Sequence, residues 1–219
     1  MFVRSILMLL LLAPFASAQP AEPRAFVIGI CTHFSQRKGM LNENLRMIRE
    51  MGVRSIRDEV PWQQVERERG TMSIPERHEQ MVDHALKLGL EPILVLAYGN
   101  PHYQQGRKPT EPASLDGFVR YAEFVVSHFK GRVKRFEVWN EWDIGIGTAG
   151  GEAGTPEQYL RLIERVYPAI KGIDPTIEVI GGVVSPTGLR TDFFERLIAG
   201  GLTRHCDAVS VHPYCFASG

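Results

Sequence analysis

The stretch FEVWNEWD, residues 136–143, runs from a short strand-like segment straight into an amide and a carboxylate. Asn140 and Glu141 stand side by side, and Trp139 and Trp142 flank them. In proteins built from parallel strands and helices, side chains at the carboxyl end of a strand commonly carry the chemistry. This stretch therefore predicts a strand that ends in a functional site.

The same order of helix, glycine and strand recurs along the chain. Helices are predicted at residues 42–52, 78–89, 116–131, 157–172 and 191–201, each followed by a β-rich segment, and a first strand at 25–30 precedes them. Thr155, Pro156 and Gln158 predict the start of the fourth helix through a capping box. Left-handed helix ends are predicted at Gly52, Gly89, Gly131 and Gly172. Strands that alternate with helices imply right-handed βαβ units and a parallel sheet.

Two architectures begin with this pattern, the doubly wound sheet and the (β/α)8 TIM barrel. A dinucleotide-binding doubly wound sheet predicts G-x-G-x-x-G after the first strand, whereas residues 29–39 read GICTHFSQRKG. Polar and aromatic residues gather instead at successive strand ends, where barrel enzymes place their chemistry. These residues are His33, Arg57, Asp58, Tyr98, Asn140, Glu141, His212 and Tyr214. The sequence favours an α/β (β/α)8 TIM barrel with about six of the eight β/α units present.

Composition excludes several classes of function. The 219 residues carry a formal net charge of +0 and are 44% hydrophobic, which is typical of a globular protein and argues against a nucleic-acid partner. Cys31, Cys206 and Cys215 are an odd number of cysteines without metal-site spacing. Cys206 and Cys215 flank a predicted strand, too far apart for a disulfide. The sequence indicates no metal and no cofactor, and it leaves the oligomeric state open.

The first residues have the pattern of a secretory signal peptide. Arg4 precedes the apolar run ILMLLLLA, and the small residues Ala16, Ser17 and Ala18 stand just before Gln19. The pattern predicts a signal peptide at residues 1–18 and a mature domain at residues 19–219. The protein is then secreted or periplasmic and has no membrane contact after cleavage. An uncleaved N-terminal anchor is the alternative.

Four segments resemble a known group of enzymes. WNE at the end of the fourth strand is similar to the signature of the clan A glycoside hydrolases, a large retaining group of (β/α)8 barrels. The segments RFEVWNEWD, GICTHF, VRSIRDEVPW and VSVHPY resemble the family 39-like and family 5-like branches most. The resemblance extends over essentially the whole predicted mature chain.

The resemblance implies roles for individual residues. Glu141 would be the general acid/base, and Asn140 would contact the 2-hydroxyl of the sugar at the cleavage site. Arg57 would support the carboxylate of the nucleophile, and His212 and Tyr214 would line the cleavage subsite. Asp58 and His33 are further substrate-binding candidates. The candidates for stacking on sugar rings are Trp62, Tyr98, His102, Tyr103 and Trp142.

Each assignment has a structural alternative. Glu141 could be a solvated loop acid, and Arg57 with Asp58 could be an ion pair under the barrel rim. His33 could be a hydrogen-bonded core histidine, and His212 could simply end its strand. The tryptophans could equally be packing residues. The glycine-rich segment 145–155 is predicted to be a flexible rim loop, because it lacks the lysine of a phosphate-binding loop.

The second carboxylate of the reaction is not found among these residues. In the resembling families the nucleophile is a glutamate at the end of the seventh strand, and this sequence reaches Gly219 just after its sixth. We therefore expect the nucleophile beyond residue 219, in a barrel whose strands seven and eight are missing here. The expected function is a retaining O-glycoside hydrolase acting on a poly- or oligosaccharide. The alternatives are a carbohydrate-binding pseudoenzyme, an inactive fragment, or a metal-dependent hydrolase on the same barrel.

Overall fold

The computed structural model describes residues 26–214. Its strands are β1 (Gly29–Cys31), β2 (Ser55–Pro61), β3 (Glu91–Ala97), β4 (Arg135–Val138), β5 (Glu178–Val184) and β6 (Ala208–Val211). Its α-helices are α1 (Leu41–Glu50), α2 (Trp62–Val65), α3 (Glu76–Lys87), α4 (Pro112–Phe129), α5 (Pro156–Ile173), α6 (Pro186–Arg190) and α7 (Phe193–Ala199). Short 3-10 turns lie at Phe34–Gln36, Gln104–Gly106 and Leu202–Arg204. The predicted signal peptide and Cys215 lie outside the described residues.

The six strands form one parallel sheet in the order β1-β2-β3-β4-β5-β6. A doubly wound sheet would reverse its strand order at a switch point, whereas here each strand pairs with the next one along the chain. The sheet curls into a partial (β/α) barrel with helices on its outer face. The predicted TIM-barrel class is therefore confirmed.

The helix ends follow the local sequence in most cases. Thr155 and Gln158 form the predicted capping box at the start of α5. Gly52, Gly89 and Gly131 have φ of 81°, 69° and 78°, the left-handed conformation that glycine adopts most easily. The prediction for Gly172 is wrong, because α5 continues through this residue to Ile173. Within residues 26–214, no helix has the length and apolar character needed to cross a bilayer.

Two buried tyrosines form hydrogen bonds from the outer helices to the strands. Tyr121 of α4 donates a hydrogen bond to the carbonyl of Val60 on β2. Tyr159 of α5 donates to the carbonyl of Val138 at 2.9 Å and accepts from the backbone N–H of Gly182 at 3.0 Å. Tyr159 thus bridges β4 and β5 directly behind the strand end that carries Asn140 and Glu141.

Replacing Tyr159 by phenylalanine tests this bridge. Tyr159→Phe leaves the buried N–H of Gly182 without its partner, so we expect a loss of about 1–3 kcal/mol in the free energy of unfolding. Tyr167→Phe on the same helix is the matched control, because the Tyr167 hydroxyl bonds Asp207 on the surface. Its expected effect is within about 0.5 kcal/mol. Urea unfolding followed by tryptophan fluorescence measures both, and equal losses would contradict the bridge.

Candidate active site

The chain turns sharply where β4 ends. Trp139 and Glu141 have φ of 72° and 51°, the left-handed region that non-glycine residues seldom occupy. Two backbone hydrogen bonds hold the turn, from the N–H of Trp139 to Leu96 at 2.8 Å and from the N–H of Glu141 to Val183 at 3.0 Å. Strained conformations of this kind persist only where neighbouring structure enforces them, and they cluster at functional sites. The neighbouring strands β3 and β5 enforce this one.

Glu141 meets His212 across the end of β5. The Oε1 atom of Glu141 lies 2.9 Å from Nδ1 of His212, and the two side chains are only 11% and 12% exposed. The N–H of His212 donates to the carbonyl of Val184 at 2.8 Å, which holds the histidine just beyond β6. The structure therefore brings together two predicted site residues that are 71 positions apart in the sequence. This proximity fits the resemblance better than the solvated-loop alternative.

Arg57 holds Asn140 through a buried ion pair. Its guanidinium donates to both carboxylate oxygens of Glu137, at 2.9 and 2.8 Å, and to Oδ1 of Asn140 at 2.9 Å. Burial disfavours the charge of Arg57, but the hydrogen bonds and charge of Glu137 outweigh it and raise the pKa of Arg57. Arg57 does form an ion pair, but its partner is Glu137 and not the expected Asp58.

Asp58 has a structural position rather than a place in the cleft. It is fully buried, and its carboxylate accepts from the hydroxyl of Thr32 at 2.8 Å and from the backbone N–H groups of Phe34 and Ser35 at 2.6 and 3.3 Å. These bonds hold the turn that follows β1. The expected contact of Asp58 with substrate is therefore corrected.

Glu59 links two predicted site residues, His33 and Tyr98. Its buried carboxylate lies 3.6 Å from Nδ1 of His33 and 3.4 Å from the hydroxyl of Tyr98, and it accepts from Ser35 at 3.1 Å. Burial, reinforced by the negative charge of Glu59, raises the pKa of Tyr98, so this hydroxyl stays a hydrogen-bond donor. The sequence could have indicated Glu59, because residues two apart on a strand face the same side and Glu59 is two residues after Arg57 on β2.

The tryptophans expected to stack on sugars lie in the core. Trp62 is fully buried, stacks on Tyr103 at 4.7 Å and donates to Glu66. Trp142 is also fully buried and meets Trp139 edge-on at 4.9 Å. Neither ring faces the cleft, so the sugar-platform expectation is corrected in favour of packing.

The remaining aromatic candidates differ in exposure. Tyr103 is 5% exposed and has the same packing role as Trp62. His102 is exposed and contacts the carbonyl of Arg67 through Nε2 at 2.8 Å. Tyr214 is 54% exposed, and its ring packs against His212 at 5.9 Å. Tyr214 therefore lies beside the Glu141–His212 pair, where the resemblance expects it.

A buried lysine, which the sequence did not single out, clamps the loop after Glu141. Lys108 donates to the carbonyls of Ile144 and Glu152 at 2.8 and 2.7 Å. Its ammonium lies 5.7 Å from the ring centroid of Trp142. A Cβ at Gly154 would lie 2.0 Å from Nε1 of the same ring, so glycine is required there. Lys108 thus holds the glycine-rich segment 145–155 at two places, at Ile144 just before it and at Glu152 near its end.

Comparison with known proteins now gives this geometry a context. No protein-family profile and no curated protein sequence matches the chain. Several solved structures do match the chain. A family 39 glycoside hydrolase from the gut symbiont Bacteroides cellulosilyticus WH2 is 29% identical and superposes with a TM-score of 0.74. The match covers 85% of this chain and 38% of that one. The exo-beta-1,4-mannosidase Op5Man5 from Opitutaceae bacterium strain TAV5 is 17% identical with a TM-score of 0.63, over 76% and 33% of the two chains.

A family 1 β-glucosidase from Thermotoga maritima has the same fold at 18% identity, with a TM-score of 0.58 over 73% of this chain and 48% of that one. The chain therefore has the fold of the clan A glycoside hydrolases, as the sequence resemblance predicted. It spans 38% of the length of the family 39 structure. Within residues 26–214, no group of three or more histidine, cysteine, aspartate or glutamate side chains is arranged to hold a metal ion.

Lys108 gives a prediction for stability against pH. Burial lowers the pKa of Lys108 to about 8 from 10.5. Between these values the unfolded chain binds the proton and the folded chain does not, so stability rises with pH in this window and falls as pH drops through 8. We expect the free energy of unfolding to rise by about 1–3 kcal/mol between pH 7.5 and 10.5 relative to Lys108→Met. Urea titrations at each pH measure the difference, and parallel curves for the two proteins would contradict it.

Proposed function

We propose that this chain carries the acid/base half of the active site of a retaining O-glycoside hydrolase acting on a poly- or oligosaccharide. One observation carries the proposal: Glu141 stands at the carboxyl end of β4, 2.9 Å from His212. Its neighbour Asn140 is held by Arg57 at 2.9 Å. The fold shared with glycoside hydrolases and the 29% identity to a family 39 enzyme support the assignment.

Glu141 acts twice in the proposed reaction. In the first step its carboxyl proton passes to the glycosidic oxygen, the leaving sugar departs as an alcohol, and the nucleophilic carboxylate forms a bond to the anomeric carbon. In the second step the Glu141 carboxylate takes a proton from water, whose oxygen attacks the anomeric carbon and displaces the nucleophilic carboxylate, so that the sugar is released. The hydrogen bond to His212 fixes the orientation of the carboxyl group through both steps. The low exposure of the pair keeps bulk water away from the proton.

Asn140 and Arg57 position the sugar and the second carboxylate. With its Oδ1 engaged by Arg57, the amide of Asn140 has its NH₂ group left to donate to a sugar hydroxyl. Arg57 keeps its positive charge in the cleft because Glu137 stabilises it. A guanidinium in this position favours the ionised form of a nucleophilic carboxylate nearby. We propose that this nucleophile is a glutamate outside residues 1–219.

The neighbours suggest the class of substrate. Three of the solved structures with this fold are a family 39 glycoside hydrolase, an exo-β-1,4-mannosidase and a β-glucosidase. A carbohydrate is accordingly the proposed substrate. Export directed by residues 1–18, to a secreted or periplasmic location, belongs to the same proposal and rests on the sequence pattern.

A second candidate function is sugar binding without turnover by residues 1–219 alone. Two buried carboxylates of the cleft, Glu137 and Glu59, are bound to Arg57 and to Ser35. Their engagement leaves neither well suited to attack an anomeric carbon. A pseudoenzyme or inactive fragment would keep Asn140 and the acid/base group but not the second carboxylate.

Substitution of Glu141 tests the proposed function. The protein to assay is the product of the longest open reading frame that contains residues 1–219, with aryl β-glycosides and β-linked polysaccharides as substrates. We expect Glu141→Gln to lower turnover of polysaccharide about 10²–10⁴-fold, because proton transfer to the leaving oxygen is lost. A dinitrophenyl glycoside should lose far less in its first step, since its leaving group departs without protonation.

Glu152→Gln is the matched control, because Glu152 is an exposed carboxylate in the loop that follows the site. Its turnover should stay close to wild type. Equal losses with good and poor leaving groups would show that Glu141 supports the structure and is not the acid. Sugar binding with no turnover in the unmodified protein would favour the pseudoenzyme.

A further inference from the structure

A basic cleft lies on the rim of the barrel, outside the site described above. Two adjoining cavities of about 450 and 270 Å³ share the lining residues Arg37, Gln64, Arg67, Pro75 and Arg77. We call these five residues the arginine cleft. Gln80 and Glu76 extend the wall of the larger cavity. The lining of the larger cavity thus combines three guanidinium groups with two amides and one carboxylate.

Hydrogen bonds hold the side chain of Arg77 and the backbone of Arg37 and Arg67. The carbonyl of Phe34 accepts both the N–H of Arg37, at 2.9 Å, and Nε of Arg77. The carbonyl of Arg67 accepts from His102 at 2.8 Å. Arg37 has a φ of 59°, the left-handed conformation, at the end of the turn after β1. The position of the Arg77 guanidinium is therefore set before any ligand arrives, whereas the side chains of Arg37 and Arg67 are exposed.

The three guanidinium groups lack anionic partners. Among residues 26–214, no carboxylate lies within ion-pair distance of Arg37, Arg67 or Arg77, whereas six other arginines have one: Arg57, Arg107, Arg132, Arg135, Arg165 and Arg196. Other arginines of this range, such as Arg46 and Arg161, also have none, so what distinguishes Arg37, Arg67 and Arg77 is that they line one cleft. Like charges that share one concave surface repel each other. The three guanidinium groups outnumber the one carboxylate of the lining, Glu76, so the cleft attracts an anion.

Gln36 connects the arginine cleft with two residues of the candidate site. It lines the smaller cavity, and its amide donates to Nδ1 of His33 at 3.3 Å and to Oε2 of Glu59 at 3.5 Å. The next residue along the chain is Arg37. A saccharide that extends from the candidate active site past Gln36 would therefore reach the arginine cleft.

We propose that the arginine cleft binds the carboxylate of an acidic sugar unit, so that the substrate is a uronate-containing poly- or oligosaccharide. A guanidinium presents paired N–H donors that match the two oxygens of a carboxylate. The amides of Gln64 and Gln80 supply donors and acceptors for the hydroxyls of the same ring. This inference rests on the proposed function and adds the class of substrate to it.

The test compares two saccharides that differ only at C6. The probes are cellouronate hexamer and cellohexaose, which share a β-1,4 backbone, and a sulfated cellohexaose that separates sulfate from carboxylate. Binding is measured by calorimetry on the full reading-frame product carrying Glu141→Gln, so that no probe is cleaved. We expect cellouronate to bind at least about tenfold tighter than cellohexaose, as charge-assisted hydrogen bonds predict. The advantage should shrink between about 0.05 and 0.5 M NaCl.

The double variant Arg37→Gln with Arg67→Gln should bind cellouronate no more tightly than cellohexaose, and its affinity for cellohexaose should be unchanged. Arg46→Gln with Arg161→Gln is the matched control, since it removes the same charge from exposed positions on α1 and α5. Three results would overturn the proposal. The double variant could still bind cellouronate more tightly than cellohexaose, the unsubstituted cleft could bind the two probes equally, or cellouronate could fail to bind at millimolar concentration. A preference for the sulfated probe would overturn the assignment to carboxylate. Failure of the proposed function would appear separately, as normal polysaccharide turnover by Glu141→Gln.

Discussion

The buried pair between Arg57 and Glu137 is the interaction on which the candidate site depends. Burying either charge alone would be strongly unfavourable, so each requires the other. They stand on β2 and β4, with β3 between them, and strands two apart are separated by about 9.5 Å in a flat sheet. Only the inward curl of the barrel and two long side chains close that gap. The third contact of the pair, to Asn140, then sets how the amide beside Glu141 faces the cleft.

Buried polar side chains give the carboxyl end of the barrel its rigidity. Asp58 holds the turn after β1, and Asp143 accepts from the backbone of Ser185 and Gly188 at 2.9 Å each, which fixes the start of α6. Lys108 holds the arch after Glu141 from the opposite side. Loops that end in satisfied, buried hydrogen bonds lose little entropy when a ligand binds. Glu141 can therefore keep one geometry through the two proton transfers proposed for it.

The sequence identified the candidate residues at the strand ends, but not the buried charged residues that contact them. Glu141, Asn140 and His212 were found because each directly follows an apolar run, and parallel strands bring such ends together. Glu137, Glu59 and Lys108 were missed because their importance depends on what lies across the sheet. Trp62 and Trp142 were expected in the cleft, yet both pack under the helices. An aromatic residue at a strand end can turn to either side, and sequence spacing does not choose between them.

The sequence by itself determined the alternation of strands and helices, the parallel barrel and the strand end that carries Glu141. Each of these follows from local pattern, namely apolar periodicity, caps and glycine ends. Only the tertiary structure decided that Arg57 binds Glu137 instead of Asp58, and that Arg37, Arg67 and Arg77 surround one cleft without anionic partners. Those contacts join residues from different β/α units. They depend on sheet curvature and strand register, which no short stretch of sequence contains.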